Sequence, residues 1–392
     1  MNYKNLIISG GGCKVFSVLG SLIYLRKKKR LLLIDTFIGC SAGNFPNLFL
    51  VLGCSIDECF NFSLEIYRNT FINENTITNL INHSGLIQGR SILNSVENII
   101  EQKTGEKDIT FKRLYQLTNK KITCVVTNMD TLKVNYLNYQ NHPNFIVSEA
   151  IKASCSIPVI FTPSVFLKVY LSSPIASNKK KCKYLKKNIF YLPKMSNFFV
   201  GSHQQKIKIT RNREQLQEIY FIIYYLKKWI LVSVSRNTKN LFNQRIFCSK
   251  SSPLNIGDQI DFENKTYLKI LDEITFSDGA TLDNYPIHLS KKLNGPTLGI
   301  YFDSEKKVSK CNNSNILYYL KNIISGICNE IQDVKIRGFS KNSIKITLPN
   351  DINAFDLNPN VDNLKKIIRI GFLTTQRFLR KKNKKEKKNK KR

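Results

Sequence analysis

Gly39-Cys40-Ser41-Ala42-Gly43 sets a serine between small residues, with a strand-like run (Leu31 to Ile38) before it and a helix-like run (Phe45 to Leu52) after it. A serine on so tight a strand-to-helix turn projects its hydroxyl clear of a sheet, and only small flanking residues let the backbone turn that sharply. The helix behind it directs free N–H groups and a positive dipole end at any charge developing there. A second candidate, Gly10-Gly11-Gly12-Cys13-Lys14, separates strand-like Lys4 to Ser9 from the helical pattern Val15 to Lys28. Three glycines at such a turn leave backbone N–H groups uncovered, which suits an oxyanion or a phosphate. A third, Ser277-Asp278-Gly279-Ala280, lies far downstream and is followed by Asp283-Asn284-Tyr285-Pro286-Ile287. A serine hydroxyl attacks an ester only with a base beside it. The four histidines, His83, His142, His203 and His288, sit in no recognisable triad context. His288, ten residues past Asp278, reads as a surface or capping residue, although a triad stays open at this stage.

Glycine loop, serine elbow and D-G-A motif, in this order, resemble the patatin-like phospholipase family. Phe111 to Asn138, read as helix, strand and hairpin, fits it too, and Glu149 to Pro158 looks like its A-S-x-x-x-P block. The resemblance covers roughly residues 3–163 and 271–305, with a weaker match over the C-terminal helices. It implies an α/β, three-layer fold with a central mixed, mostly parallel sheet covered by helices. It further implies a serine–aspartate dyad in which Ser41 is the nucleophile and Asp278 the base. Gly10, Gly11, Gly12, Cys13 and Lys14 would form the oxyanion loop, Gly39 and Gly43 the elbow, and Gly279 and Ala280 the rest of the D-G-A motif. No cofactor and no metal are implied. The substrate class implied is lipid at a membrane surface, with acyl esters of glycerophospholipids foremost. The other reading is a catalytically weak protein that keeps the fold as a lipid-binding or membrane scaffold. One departure is Val15, which stands where the family's loop usually has its last glycine; a β-branched residue there restricts the turn.

Gly10-x-Gly12 after a strand, with Asp35 about twenty residues later, also approximates a dinucleotide-binding fingerprint. That reading lacks its third glycine and leaves Ser41 and Asp278 unexplained. The blander reading makes Ser41 and Asp278 turn residues only.

The chain has 392 residues, 42% of them hydrophobic, and a formal net charge of +33 that is unevenly placed. Residues 380–392 carry ten basic residues and Glu386, and residues 164–250 carry eighteen Lys or Arg against Glu214 and Glu218. Abundant Lys, Asn, Ile, Phe and Tyr fit A+T-rich coding DNA, so base composition explains part of the excess. The functional explanation is attraction of the basic insert and tail to anionic lipid, with nucleic acid the weaker partner. The ten cysteines form no C-x-x-C pair, which suits a reducing, intracellular setting, cytoplasmic or peripheral to a membrane. Neither a signal-peptide pattern nor a membrane-spanning run stands out.

The pattern therefore divides the chain into residues 1–163 and 271–379 as the two parts of one domain, 164–270 as an atypical basic insertion and 380–392 as a disordered tail. Residues 164–250 hold one glycine (Gly201), one alanine (Ala176) and no aspartate, so turn chemistry is nearly absent. Two apolar runs there, Ile219 to Leu226 and Trp229 to Val234, are divided by Lys227 and Lys228 and suit either an interfacial element or a piece packed on the body. Ile316 to Ile331 predicts an apolar helix, Ser343 to Leu348 a strand, and Asn360 to Leu379 a closing helix.

Overall fold

Strand and helix alternate through the N-terminal half because apolar runs of about five residues alternate with runs of helical period. The computed structural model describes residues 2–70, 84–172, 189–193, 205–210, 219–225, 228–234, 259–262, 267–303, 323, 326, 330–349 and 361–389. In chain order, β1 is Asn5–Ile8, α1 Phe16–Lys27, β2 Thr36–Cys40, α2 Asn44–Val51 and α3 Ile56–Thr70. Then come β3 Gly85–Ile87, α4 Arg90–Thr104, α5 Phe111–Thr118, β4 Lys121–Asn128 and β5 Lys133–Asn138. α6 is Val147–Ser154, β6 Val159–Phe161, β7 Ser164–Ser172 and β8 Ile189–Pro193. β9 Gln205–Thr210, β10 Ile219–Tyr225, β11 Lys228–Val234 and β12 Gln259–Phe262 precede β13 Tyr267–Asp278. The chain closes with α7 Ala280–Asp283, β14 Thr297–Phe302, β15 Ser343–Ile346 and α8 Val361–Asn389.

The main sheet runs β11-β10-β9-β12-β13-β4-β2-β1-β14-β15. Its centre, β4-β2-β1-β14-β15, is parallel, and β13 joins β4 antiparallel, so the sheet is mixed with a parallel middle. Every residue of β1, β2 and β14 is buried, as parallel strands covered on both faces require. The α/β fold class read from the sequence is the one observed. β3 and β6 pair as a separate small parallel sheet.

Several boundaries moved. Leu31 to Asp35 does not join β2, which starts at Thr36, and Leu32 and Leu33 stand in solvent. Ser164–Ser172, inside the segment read as an insertion, pairs along β13 and buries Phe166, Val169 and Tyr170. The two apolar runs divided by Lys227 and Lys228 form the antiparallel hairpin of β10 and β11. Most of Ile316 to Ile331 lies outside the described residues. Residues 380–389, expected to be disordered, continue α8 as helix to Asn389, because Lys and Arg are good helix formers and extend an already nucleated helix.

α8 docks on α1 by near contact of the two backbones. A Cβ at Gly20 would lie 1.8 Å from the Ile368 carbonyl oxygen, and one at Gly371 would lie 1.8 Å from that of Ser17. Ser21 donates to the Gly371 carbonyl, and Tyr24 and Phe372 meet edge to face beside the crossing. Gly20→Ala is therefore expected to lower stability by about 1–3 kcal/mol through overpacking, read as a lower midpoint in urea. An unchanged midpoint would show that α8 does not dock in this way.

The six described cysteines are buried and form no disulfide among the described residues, and burial pushes the Cys54 thiol up to about 11 and the Cys59 thiol up to about 12. Such thiols behave as small hydrophobes rather than nucleophiles. Among the described residues no helix is long and apolar enough to cross a membrane.

Candidate active site

Ser41 and Asp278 meet because β4 lies between the strands that carry them. β2 pairs with β4 up to Cys40 opposite Val125, and β13 ends with Asp278 opposite Val126. The residue after Cys40 thus stands at the level of Asp278, and the Cys40 thiol reaches 3.9 Å from Asp278 Oδ1. Ser41 is 5% exposed and has φ 49°, a left-handed conformation that costs a non-glycine residue stability. Strain at this position is what a sharp elbow demands. Gly43 permits the close approach behind it, since a Cβ there would sit 2.5 Å from the Ser9 carbonyl oxygen; at Gly39 one would meet Asn44.

Polar groups outside the elbow hold it. The Ser41 N–H donates to Ser154 Oγ at 3.0 Å, and Asn44 Nδ2 donates to the same oxygen at 2.9 Å and to the Ser41 carbonyl at 3.0 Å. The Ser154 hydroxyl in turn donates to the Val125 carbonyl on β4. Ser154 belongs to the A-S-x-x-x-P block, whose pattern was legible, but its role was not, because its partners are distant in sequence. Ser154→Ala leaves a buried N–H and an amide without their acceptor, a loss of about 1–3 kcal/mol. The midpoint of urea unfolding is expected to fall accordingly, and an unchanged midpoint would show that Ser154 does not hold the elbow.

Asp278 is 1% exposed. Its Oδ1 accepts the Ala280 N–H at 2.7 Å, its backbone N–H donates to the Ser156 carbonyl, and its carbonyl accepts from Thr127 Oγ1. Among the described residues Oδ2 has no hydrogen-bond partner. Burial raises the carboxyl from its ordinary 3.8 to about 7, opposed by the Ala280 N–H and, more weakly, by the hydroxyl of Ser41 and the thiol of Cys40. The Ser41 hydroxyl is thus near enough to favour the carboxylate without forming a full hydrogen bond to it. Gly279 packs against β4, where a Cβ would lie 2.3 Å from the Val125 carbonyl oxygen, and Ala280 opens α7.

The glycine loop lies against the elbow. A Cβ at Gly10 would be 2.9 Å from Ser41 Cβ and 2.5 Å from Asn284 Oδ1. Gly10 N–H donates to the Asn284 carbonyl, and Asn284 Nδ2 donates to Gln332, so the loop is braced by a residue the sequence reading quoted without a role. Gly12 to Val15 forms a 3-10 turn in which Lys14 N–H donates to the Gly11 carbonyl. No backbone partner accepts the Gly11 or Gly12 N–H among the described residues. Cys13 is buried, and Lys14 is half-buried with its carbonyl accepting from Ser17. Val15 adopts φ −59° and ψ −23° and sits in the core, so the β-branched residue leads into α1 without strain.

His288 joins a different cluster. It lies 3.3 Å from the Tyr136 hydroxyl and 3.8 Å from Asp283 Oδ2, with Lys335 3.0 Å from Oδ1 of the same buried carboxylate. Burial lowers its pKa, the nearby lysines adding to the effect and Asp283 opposing it. His142 packs against Phe145 and Tyr191, and His83 and His203 lie outside the described residues. Among the described residues no group of three His, Cys, Asp or Glu is placed to hold a metal ion.

Residues 6–184 match the sequence profile of a family described as patatin-like phospholipase. That stretch includes the glycine loop, the elbow and Ser154, while Asp278 joins from beyond it through the sheet. An uncharacterized protein, R571, of Acanthamoeba polyphaga mimivirus is 30% identical over 170 residues, 42% of this chain and 54% of that protein. A protein of Invertebrate iridescent virus 6 named as a probable lipid hydrolase, 463L, is 31% identical over 164 residues, 41% of this chain and 56% of that protein. The chain spans about half the length of the curated relatives it matches. Among solved structures, VipD from Legionella pneumophila is similar with a TM-score of 0.42 and 12% identity, covering 97% of this chain and 67% of that one.

Proposed function

We propose, from the match of residues 6–184 to the patatin-like phospholipase family, that this protein hydrolyses fatty-acyl esters of glycerophospholipids through Ser41 and Asp278. The observation that carries the reading is the meeting of the strained Ser41 with the buried Asp278 across β4, where burial pushes the carboxyl up to about 7. A base tuned close to neutrality combines the ionised state with useful proton affinity. In the reaction, Ser41 Oγ attacks the acyl carbonyl as its proton passes to Asp278. The Gly11 and Gly12 N–H groups and the start of the helix behind the elbow face the developing oxyanion. Collapse breaks the ester bond, the lyso-lipid alkoxide takes the proton back from Asp278, and the acyl group stays on Ser41. Water, deprotonated by Asp278, then releases the fatty acid and restores the serine.

Because Asp278 acts ionised, kcat/KM is expected to rise tenfold per pH unit below about 7 and level off above it. Purified protein on phosphatidylcholine, assayed by mass spectrometry for fatty acid and lysophospholipid, tests the substrate class. Release of neither product at any pH would overturn the proposal, and a plateau ending near pH 4 would give Asp278 an ordinary carboxyl and no role as a tuned base.

A further inference from the structure

The last turn of α1 and the connection to β2 carry Arg26-Lys27-Lys28-Lys29-Arg30 followed directly by Leu31-Leu32-Leu33. Arg26 to Lys29 are exposed, and Leu32 is 75% and Leu33 59% exposed. Among the described residues no carboxylate forms an ion pair with Arg26, Lys27, Lys28 or Lys29, and Lys28 lies over the Tyr24 ring. The basic end of α8 reaches the same corner of the fold. Arg30 donates to Asn2 Oδ1, and Lys382, from the run Arg380-Lys381-Lys382, donates to the hydroxyl of the adjacent Tyr3 and sits over its ring. Lys382 also donates to Asn342, just before β15.

We propose that this corner, the 26–33 turn with the basic end of α8, docks on an anionic lipid bilayer. Cations gather at the phosphates and carboxylates of the headgroups, while the two leucines enter the layer beneath them. Adjacent exposed leucines distinguish this surface from one built for nucleic acid, whose phosphates offer nothing for an aliphatic side chain. The corner lies at the start of β2 and Ser41 just past its end, so roughly 16 Å of strand separates them. The surface therefore lies apart from Ser41, and it stands or falls apart from the chemistry proposed for that residue.

The full chain is tested for sedimentation with phosphatidylserine-containing vesicles at low ionic strength and at about 1 M salt, where screening acts within about 3 Å. Lys27→Gln/Lys28→Gln/Lys29→Gln is expected to bind about 100-fold more weakly at low salt and little differently at high salt. Leu32→Ser/Leu33→Ser is expected to bind at least tenfold more weakly at both. Hydrolysis of a soluble ester should stay unchanged in both variants. Brominated lipid in the vesicles should quench the added fluorescence of Leu32→Trp and not that of Leu132→Trp, which lies on the exposed turn between β4 and β5, beyond the catalytic level of β4. Wild-type binding by both multiple variants, quenching at Leu132→Trp instead, or tighter salt-matched binding of duplex DNA than of vesicles would each overturn the assignment.

Discussion

Ser41→Ala is expected to lower ester hydrolysis by about 10³-fold or more while the protein folds normally. Removing one member of a catalytic unit eliminates the covalent route and leaves only the binding and electrostatic contributions of the rest. The folded state should survive, because alanine meets the same left-handed φ as the serine and leaves the Ser154 and Asn44 bonds to the elbow backbone in place. Ser41→Gly should be equally inactive and at least as stable as Ser41→Ala, since glycine takes this φ without strain. The pair of variants separates chemistry from folding: turnover collapses in both, and the urea midpoint does not. Retention of most turnover on a short-chain ester would mean that another residue attacks.

Asp278→Asn is expected to be nearly as damaging to turnover, because the amide keeps the shape of the carboxyl but accepts no proton from serine. Its effect on stability should have the opposite sign. The folded-state pKa is raised, from 3.8 to about 7, so the fold favours the neutral acid. The stabilisation that this confers is complete below about pH 4 and is lost as the pH rises through about 7. Above that pH the native protein holds a buried carboxylate and Asp278→Asn does not. The variant should then be the more stable protein at pH 8, by at most about 4 kcal/mol, with the advantage vanishing in acid. Urea titrations of both proteins across this range check the sign. A variant less stable than the native protein at pH 8 would show the carboxylate to be stabilised in place, and a raised pKa would be excluded. His288→Ala should leave turnover nearly intact, since its contacts are Tyr136 and Asp283.

The turns at the elbow, the glycine loop and the D-G-A motif were legible because each depends on local backbone chemistry, with small residues where the chain turns sharply and packs close. What holds them in place was not. Ser154 stands 113 positions from the N–H it accepts, and Gln332 stands 48 positions from Asn284, so no window of sequence contains both partners. The start of β2 was misplaced for a different reason. Leu31 to Leu33 carries the hydrophobicity of a strand, yet the chain still turns there, and the leucines face water beside five cations. The early part of the segment from 164 resisted reading because its sparse turn residues suggested no fold, whereas Phe166 and Val169 pack in the interior once β13 supplies a partner strand. Near residue 380, net charge argued for disorder, yet a helix already anchored by Leu364, Ile367 and Gly371 extends at little cost through good helix formers.

Ser41 as nucleophile is tested most directly by reaction of the 392-residue protein with a fluorophosphonate, followed by peptide mapping of the adduct. Only a hydroxyl activated by a neighbouring base displaces fluoride from phosphorus at a useful rate. A single stoichiometric adduct is expected on the peptide containing Ser41, formed faster as the pH rises through about 7, and absent in Ser41→Ala and Asp278→Asn. A fully folded protein that stays unlabelled, or one labelled at another residue, would contradict it.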